Sequence, residues 1–260
     1  MNGAESVFRR KELLWTLAVR DIRVRYKQSY LGIAWAVIQP FTLMVIFTFV
    51  FGKLAKIDTA DIPYPIFAYA ALVPWTFFAS ALGTAIPSVV QNASIVKKVY
   101  FPREILPLST VISSLMDFAI AFVVLLGMMV WFGAPFAWTM VFLPVLLLLT
   151  IMIAMAIALF ASAVNVYYRD IRYAVPLLLQ LWMYATPVAY PLQLLKDNGY
   201  AWVYYANPMG PVIESFRRIL VHGTLPDFPG LAISAGIAIV ILIPAYWFFK
   251  RVEMNFADIV

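Results

Sequence analysis

Long gaps between charged side chains constrain this chain more than any other feature. Positions 28–52, 62–96, 173–195 and 228–249 carry no charge, and 105–168 carries one, Asp117. A helix crossing the hydrocarbon layer of a bilayer needs about 20 mostly apolar residues. The longest gap is broken by the turn signal "WFGAPFAW" (131–138), where Gly133 and Pro135 interrupt the apolar run. Six spans are therefore expected, near 32–52, 66–90, 105–132, 138–164, 173–192 and 230–250. Composition points the same way. Charged residues make up 12% of the chain and apolar ones 64%, against about 25% charged in soluble domains. So few polar side chains cannot cover a water-facing surface. The expected fold class is an all-α integral membrane protein.

Lys and Arg in the loops set the orientation. With the N-terminus inside, 14 of the 19 basic residues fall on one side: Arg9, Arg10, Lys11, Arg20, Arg23, Arg25, Lys27, Lys97, Lys98, Arg103, Arg169, Arg172, Lys250 and Arg251. Lys53, Lys56, Lys196, Arg217 and Arg218 fall on the other. Both termini are thus expected in the cytoplasm of a multi-pass protein. So are two charged connections, "IVKKVYFPREILP" (95–107) and "VYYRDIRY" (166–173). The first is a compact elbow whose Pro102 and Pro107 restrict the backbone. Its Lys97, Lys98, Arg103 and Glu104 offer charged contacts to a partner or to head groups. The first 30 residues are basic, so the first apolar run does not read as a signal peptide. The net charge of +6 belongs to these loops and calls for no nucleic-acid partner.

Two segments fit neither span nor simple loop. Residues 1–30 form a separate cytoplasmic element, with 31–260 as the transmembrane domain. Within 8–27, Glu12, Thr16, Arg20, Arg23 and Lys27 recur at helical spacing on one face, and Trp15, Ala18, Ile22 and Tyr26 on another. Such a helix lies along the membrane surface, as an anchor, as a docking face, or as both. Residues 193–227 are too charged to span and too apolar for a free loop. Asn207-Pro208 and Gly210-Pro211 break them, so short re-entrant or interfacial helices are expected between spans five and six. Ala154, Ala158 and Ser162 form a small-residue stripe for close helix packing in span four.

Several chemistries are excluded. The chain has no cysteine and one histidine, His222, which leaves no thiolate site and too few ligands for a metal cluster. It has no G-x-x-x-x-G-K-[ST] phosphate loop, so no nucleotide site of its own is expected, and no cofactor in this chain. Asp58 and Asp61 read as loop solvation. Asp117, alone within a span, is either a proton site or a hydrogen-bond partner for a neighbouring helix. Trp35 and Gln39 in span one, and Gln180, Trp182 and Tyr184 in span five, put aromatic rings beside polar groups. Either these pack helices, or they line a path in which rings stack on sugars and amides bond hydroxyls.

The fragment "RDIRVRYKQSYLGIAWAVIQPFTLMVIFTFVFG" (20–52) resembles the start of ABC-2 type permeases that export bacterial polysaccharides. Its elements are the Arg-rich helix, Tyr26, Ser29, Leu31-Gly32, Trp35 and Pro40. "KKVYFPREILPL" (97–108), "NVYYRDIRYAVPLLLQ" (165–180), "TPVAYP" (186–191), "NPMGPVIESFRR" (207–218) and "FAD" (256–258) follow in order, so the likeness covers nearly the whole chain. It implies a homodimer of permeases in the bacterial inner membrane, served by two copies of a separate ATPase that binds ATP and Mg²⁺. It also implies that Arg20, Arg23, Lys97, Lys98, Arg103, Glu104, Tyr168, Arg169 and Asp170 couple to that ATPase. Spans one and five would line a channel for lipid-linked O-antigen-like, capsular or teichoic-acid glycan, with 193–227 capping its outer mouth and Pro40 kinking span one. Three other readings stand beside it. They are an ABC-2 exporter of small drugs or lipids, an ion-driven glycolipid flippase using Asp117, and a membrane-embedded transferase. The last would need clustered carboxylates for metal and phosphate, and the sequence has none.

Overall fold

A computed structural model describes residues 11–27, 32–59, 62–99 and 101–259. Arg9, Arg10, Ser29, Leu31 and Asp61 lie outside them. The described residues are helical with no strand, as an uncharged, lipid-facing backbone requires, because helices satisfy their N–H and C=O groups internally. Helix α1 is Lys11–Lys27. Helix α2, Gly32–Leu54, passes from a 3₁₀ turn through α to a π-helical end at Thr48–Leu54, with Pro40 inside it. Then come α3 (Tyr64–Ala85), two short helices α4 (Ser88–Gln91) and α5 (Ala93–Lys98), and the long α6 (Ile105–Phe132). Helix α7 is Trp138–Tyr167, and α8 is Ile171–Ala185. The short helices α9 (Leu192–Asp197) and α10 (Ala201–Ala206) lead to α11 (Met209–Leu220), α12 (Phe228–Val252) and α13 (Phe256–Ile259).

The expected turn at 131–138 holds: Gly133 closes α6 at φ 68°, the left-handed conformation that a helix end favours. Five of the described helices (α2, α3, α6, α7 and α12) are long and apolar enough to cross a membrane. The fifth expected span, 173–192, is different. Its helix stops at Ala185 after 15 residues, about 22 Å of rise, short of the ~30 Å hydrocarbon layer. The cause is local. Thr186 precedes Pro187, and proline disfavours helical backbone in the residue before it. Thr186 is accordingly extended at φ −98°, ψ 139°.

Helix α3 is the hub. Most of its apolar stretch is buried, against a third or less in the other four long helices. It packs on α2, α6, α7, α8 and α11. The remaining helices form a shell that leaves large apolar side chains exposed, such as Val123, Leu148 and Val240, which suits contact with lipid. Ala154, Ala158 and Ser162 of the small-residue stripe are fully buried. A second apolar cluster gathers one end of the bundle. Leu17 of α1, Val89 of α4, Val96 of α5, Ile105 of α6, Val166 of α7 and Phe249 of α12 belong to it.

Candidate functional site

Two polar regions interrupt the apolar bundle, one at each end. The first begins with α1. Its outer face carries Glu12, Thr16, Arg23 and Lys27, exposed as the spacing predicts; Trp15, expected on the other face, is exposed beside them with Val24. The opposite face is also charged, which the spacing did not suggest. Asp21 accepts a hydrogen bond from Ser109 Oγ at 3.4 Å. Arg25 pairs with Asp117, and Tyr26 donates its hydroxyl to the same carboxylate. Asp117 thus holds α1 against α6, as the helix-to-helix partner that an ionisable residue within a span requires.

Beside this knot lies a cavity of about 300 Å³ between α1, α2, α3 and α6. Arg25, Tyr26 and Asp117 line one part of it, Trp35, Gln39 and Pro40 another, and Thr76, Ser80 and Thr84 the α3 wall. Trp35 and Gln39 therefore share one cleft with these polar groups. The three span-five residues do not join them. Gln180 and Tyr184 lie on the exposed face of α8 with Leu177, Leu178 and Leu181. Trp182 is packed inward, its ring 5.2 Å from Phe78 and 6.3 Å from Trp75, and its Nε1 donates to Asn207 Oδ1 at 2.8 Å. It holds α8 to the core.

The residues expected to couple to a partner divide by burial. Arg23, Lys97, Lys98, Tyr168, Arg169 and Asp170 are exposed. Arg20 is half-buried and bonds Asp21 at 2.8 Å. Arg103 and Glu104 are not presented to a partner as the elbow suggested, since they are 9% and 3% exposed. Lys250 of α12 donates to Glu104 Oε2 at 2.7 Å and to Glu253 Oε1 at 2.9 Å. Burial pushes the Glu104 carboxyl above its ordinary range, and the Lys250 ammonium pulls it back. The elbow is thus anchored from within, and Phe101 and Ile105 beside it are buried in the second apolar cluster.

The second polar region, at the far end, is built on Arg217, which sequence reasoning took for an ordinary loop cation. It is 1% exposed. Its Nη2 donates to the carbonyls of Pro187 and Val188 at 2.8 and 3.1 Å, and Nη1 to Glu214 at 2.9 Å. Its guanidinium stacks 3.9 Å from the Phe67 ring centroid. The Tyr64 hydroxyl takes the next carbonyl, that of Ala189. The break after α8 leaves these carbonyls without helical partners, and a buried carbonyl must find one. Asn207 completes the support by donating to Thr186 Oγ1 at 2.7 Å. Arg217 and Glu214 stand three apart on the amphipathic α11. That i,i+3 spacing was the available signal. Burial lowers the Arg217 pKa from its ordinary value, and Glu214 opposes the shift.

Known proteins share this arrangement of sequence over most of its length. The family of ABC-2 type transporters matches residues 12–221. The O-antigen export system permease protein RfbA of Myxococcus xanthus is 29% identical over 253 residues, 97% of this chain and 96% of that protein. RfbA of Klebsiella pneumoniae is 27% identical, with 95% of each chain covered. The polysialic acid transport protein KpsM of Escherichia coli is 23% identical over 81% of this chain and 82% of its own. The chain belongs to the ABC-2 type transporter family.

Proposed function

We propose that the chain is the permease of an ATP-driven exporter that moves lipid-linked polysaccharide out of the bacterial cytoplasm. The polar cleft at Trp35 and Gln39 carries the reading. It puts an indole face beside amide, hydroxyl and guanidinium groups at the start of α2. Aromatic faces stack on sugar C–H faces, and the polar groups exchange hydrogen bonds with successive hydroxyls. A chain can therefore advance without one tight site. Full-length similarity to the RfbA permeases supports this cargo.

The chain works as a homodimer in the inner membrane, with both termini cytoplasmic. The exposed apolar faces of α2 (Phe41, Val45, Phe49) and α8 (Leu177, Leu178, Leu181) suit a second copy. Two ATPase subunits hold ATP and Mg²⁺. They contact the exposed knuckles, Lys97-Lys98 and Tyr168 to Asp170, and the outer face of α1. The Glu104–Lys250 pair then carries movement from the elbow into α12.

The test is reconstitution of the permease with its co-purifying ATPase in proteoliposomes loaded with lipid-linked glycan. Reversing charge at Lys98 and Arg169 together should lower glycan transfer at least tenfold while leaving the folded permease unchanged. Transfer by the permease alone, without an ATPase, would overturn the proposal.

A further inference from the structure

We infer that the outer end of the bundle holds a second saccharide-binding site, separate from the cleft at Trp35; this rests on the export reading. A cavity of about 430 Å³ lies between the loop after α2, helix α9 and helix α11, within the roughly 300–1,000 Å³ range of small-molecule sites. Its wall combines three cations, Lys196, Arg217 and Arg218, with three carboxylates, Asp58, Asp197 and Glu214.

This balance selects the ligand. A phosphate or other anion would gain from the cations and lose as much to the carboxylates. No group of three or more His, Asp or Glu among the described residues is arranged to hold a metal. An uncharged polyol suits both signs, because each hydroxyl donates to a carboxylate and accepts from an ammonium or guanidinium. Pro191, Leu192 and Leu194 give the cavity an apolar side for ring C–H faces. One donor is still unmatched: Arg217 Nε is buried without a hydrogen-bond partner. The cavity is thus suited to uncharged sugar units of the glycan as they leave.

The cavity also touches the break after α8. Glu214, in its wall, holds the guanidinium that clasps Pro187 and Val188. A hydroxyl that takes Glu214 competes with Arg217 for it.

Photo-crosslinking in the native host tests the site with the cell's own glycan. Leu194→p-benzoylphenylalanine reports on the outer cavity, Ala36→p-benzoylphenylalanine on the inner cleft, and Leu148→p-benzoylphenylalanine on the exposed side of α7. The expected result is a glycan ladder on the permease from positions 194 and 36 and none from 148. Adding Lys196→Ala and Arg218→Ala should cut the ladder at 194 about fivefold and spare the one at 36. A ladder at 36 alone overturns the outer site and leaves the export reading intact. So does a ladder at 194 that ignores the two alanines, because glycan is then only passing. No ladder at 36 sinks the export reading itself, and the outer site with it.

Discussion

Lys250 and Glu104 stand 146 positions apart, yet the ammonium Nζ lies 2.7 Å from the carboxylate Oε2. The pair ties the elbow before α6 to the end of α12. Removing the cation leaves a carboxylate that is 4% exposed on its side chain. Breaking a fully buried pair this way costs about 3–5 kcal/mol. Lys250 keeps 24% of its side chain in solvent, so Lys250→Met should cost roughly 2–3 kcal/mol. Thermal unfolding in nanodiscs measures this. An unchanged midpoint would show that the pair contributes nothing.

Glu104 also sets a pH dependence. Burial raises its folded pKa, so the folded state holds this proton more tightly than the unfolded one. The associated stability is complete below the ordinary glutamate value of about 4.3. It is lost as pH rises through the folded value. The midpoint difference between the wild type and Glu104→Gln should therefore shift against the wild type as pH rises from about 4. A pH-independent difference would contradict this.

Arg217→Ala removes the donors for Pro187 and Val188 and leaves Glu214 without its buried cation. A loss of about 3–5 kcal/mol is expected. Faster amide hydrogen exchange at 186–191 should accompany it. Arg217→Lys should recover only part, because an ammonium cannot reproduce the planar fork.

Asp117→Asn should loosen α1 without unfolding the bundle. The Arg25 pair is partly exposed, at 25% and 19%, so the loss is about 1 kcal/mol. That amounts to about fivefold faster exchange of amides in 11–27. Exchange that stays at the wild-type rate would show that α1 is held by its apolar face alone.

Much of this architecture was legible in the sequence, because a membrane makes one rule dominate: apolar runs must be helical and about 20 residues long. The expected span 105–132 coincides with Ile105–Phe132. The turn at Gly133 and the outward face of α1 were legible for equally local reasons. Pairing across the chain was not. Arg217 looked like a loop cation because burial depends on what α3 and the 186–191 turn place around α11. Glu104 looked like a surface group because its partner belongs to the last long helix. The inward packing of Trp182 was not legible either, because spacing along one helix does not say which neighbour covers its face.

The sequence by itself determined that the chain is helical, where most of its long helices run, and which connections carry charge. Those properties follow from the free energy of placing each segment in lipid or water, which is local and nearly additive. The tertiary structure alone decided which charges are buried as anchors, which stay exposed, and where polar groups converge into cavities. Those depend on contacts between distant segments, such as the carbonyls of Pro187 and Val188 that Arg217 satisfies.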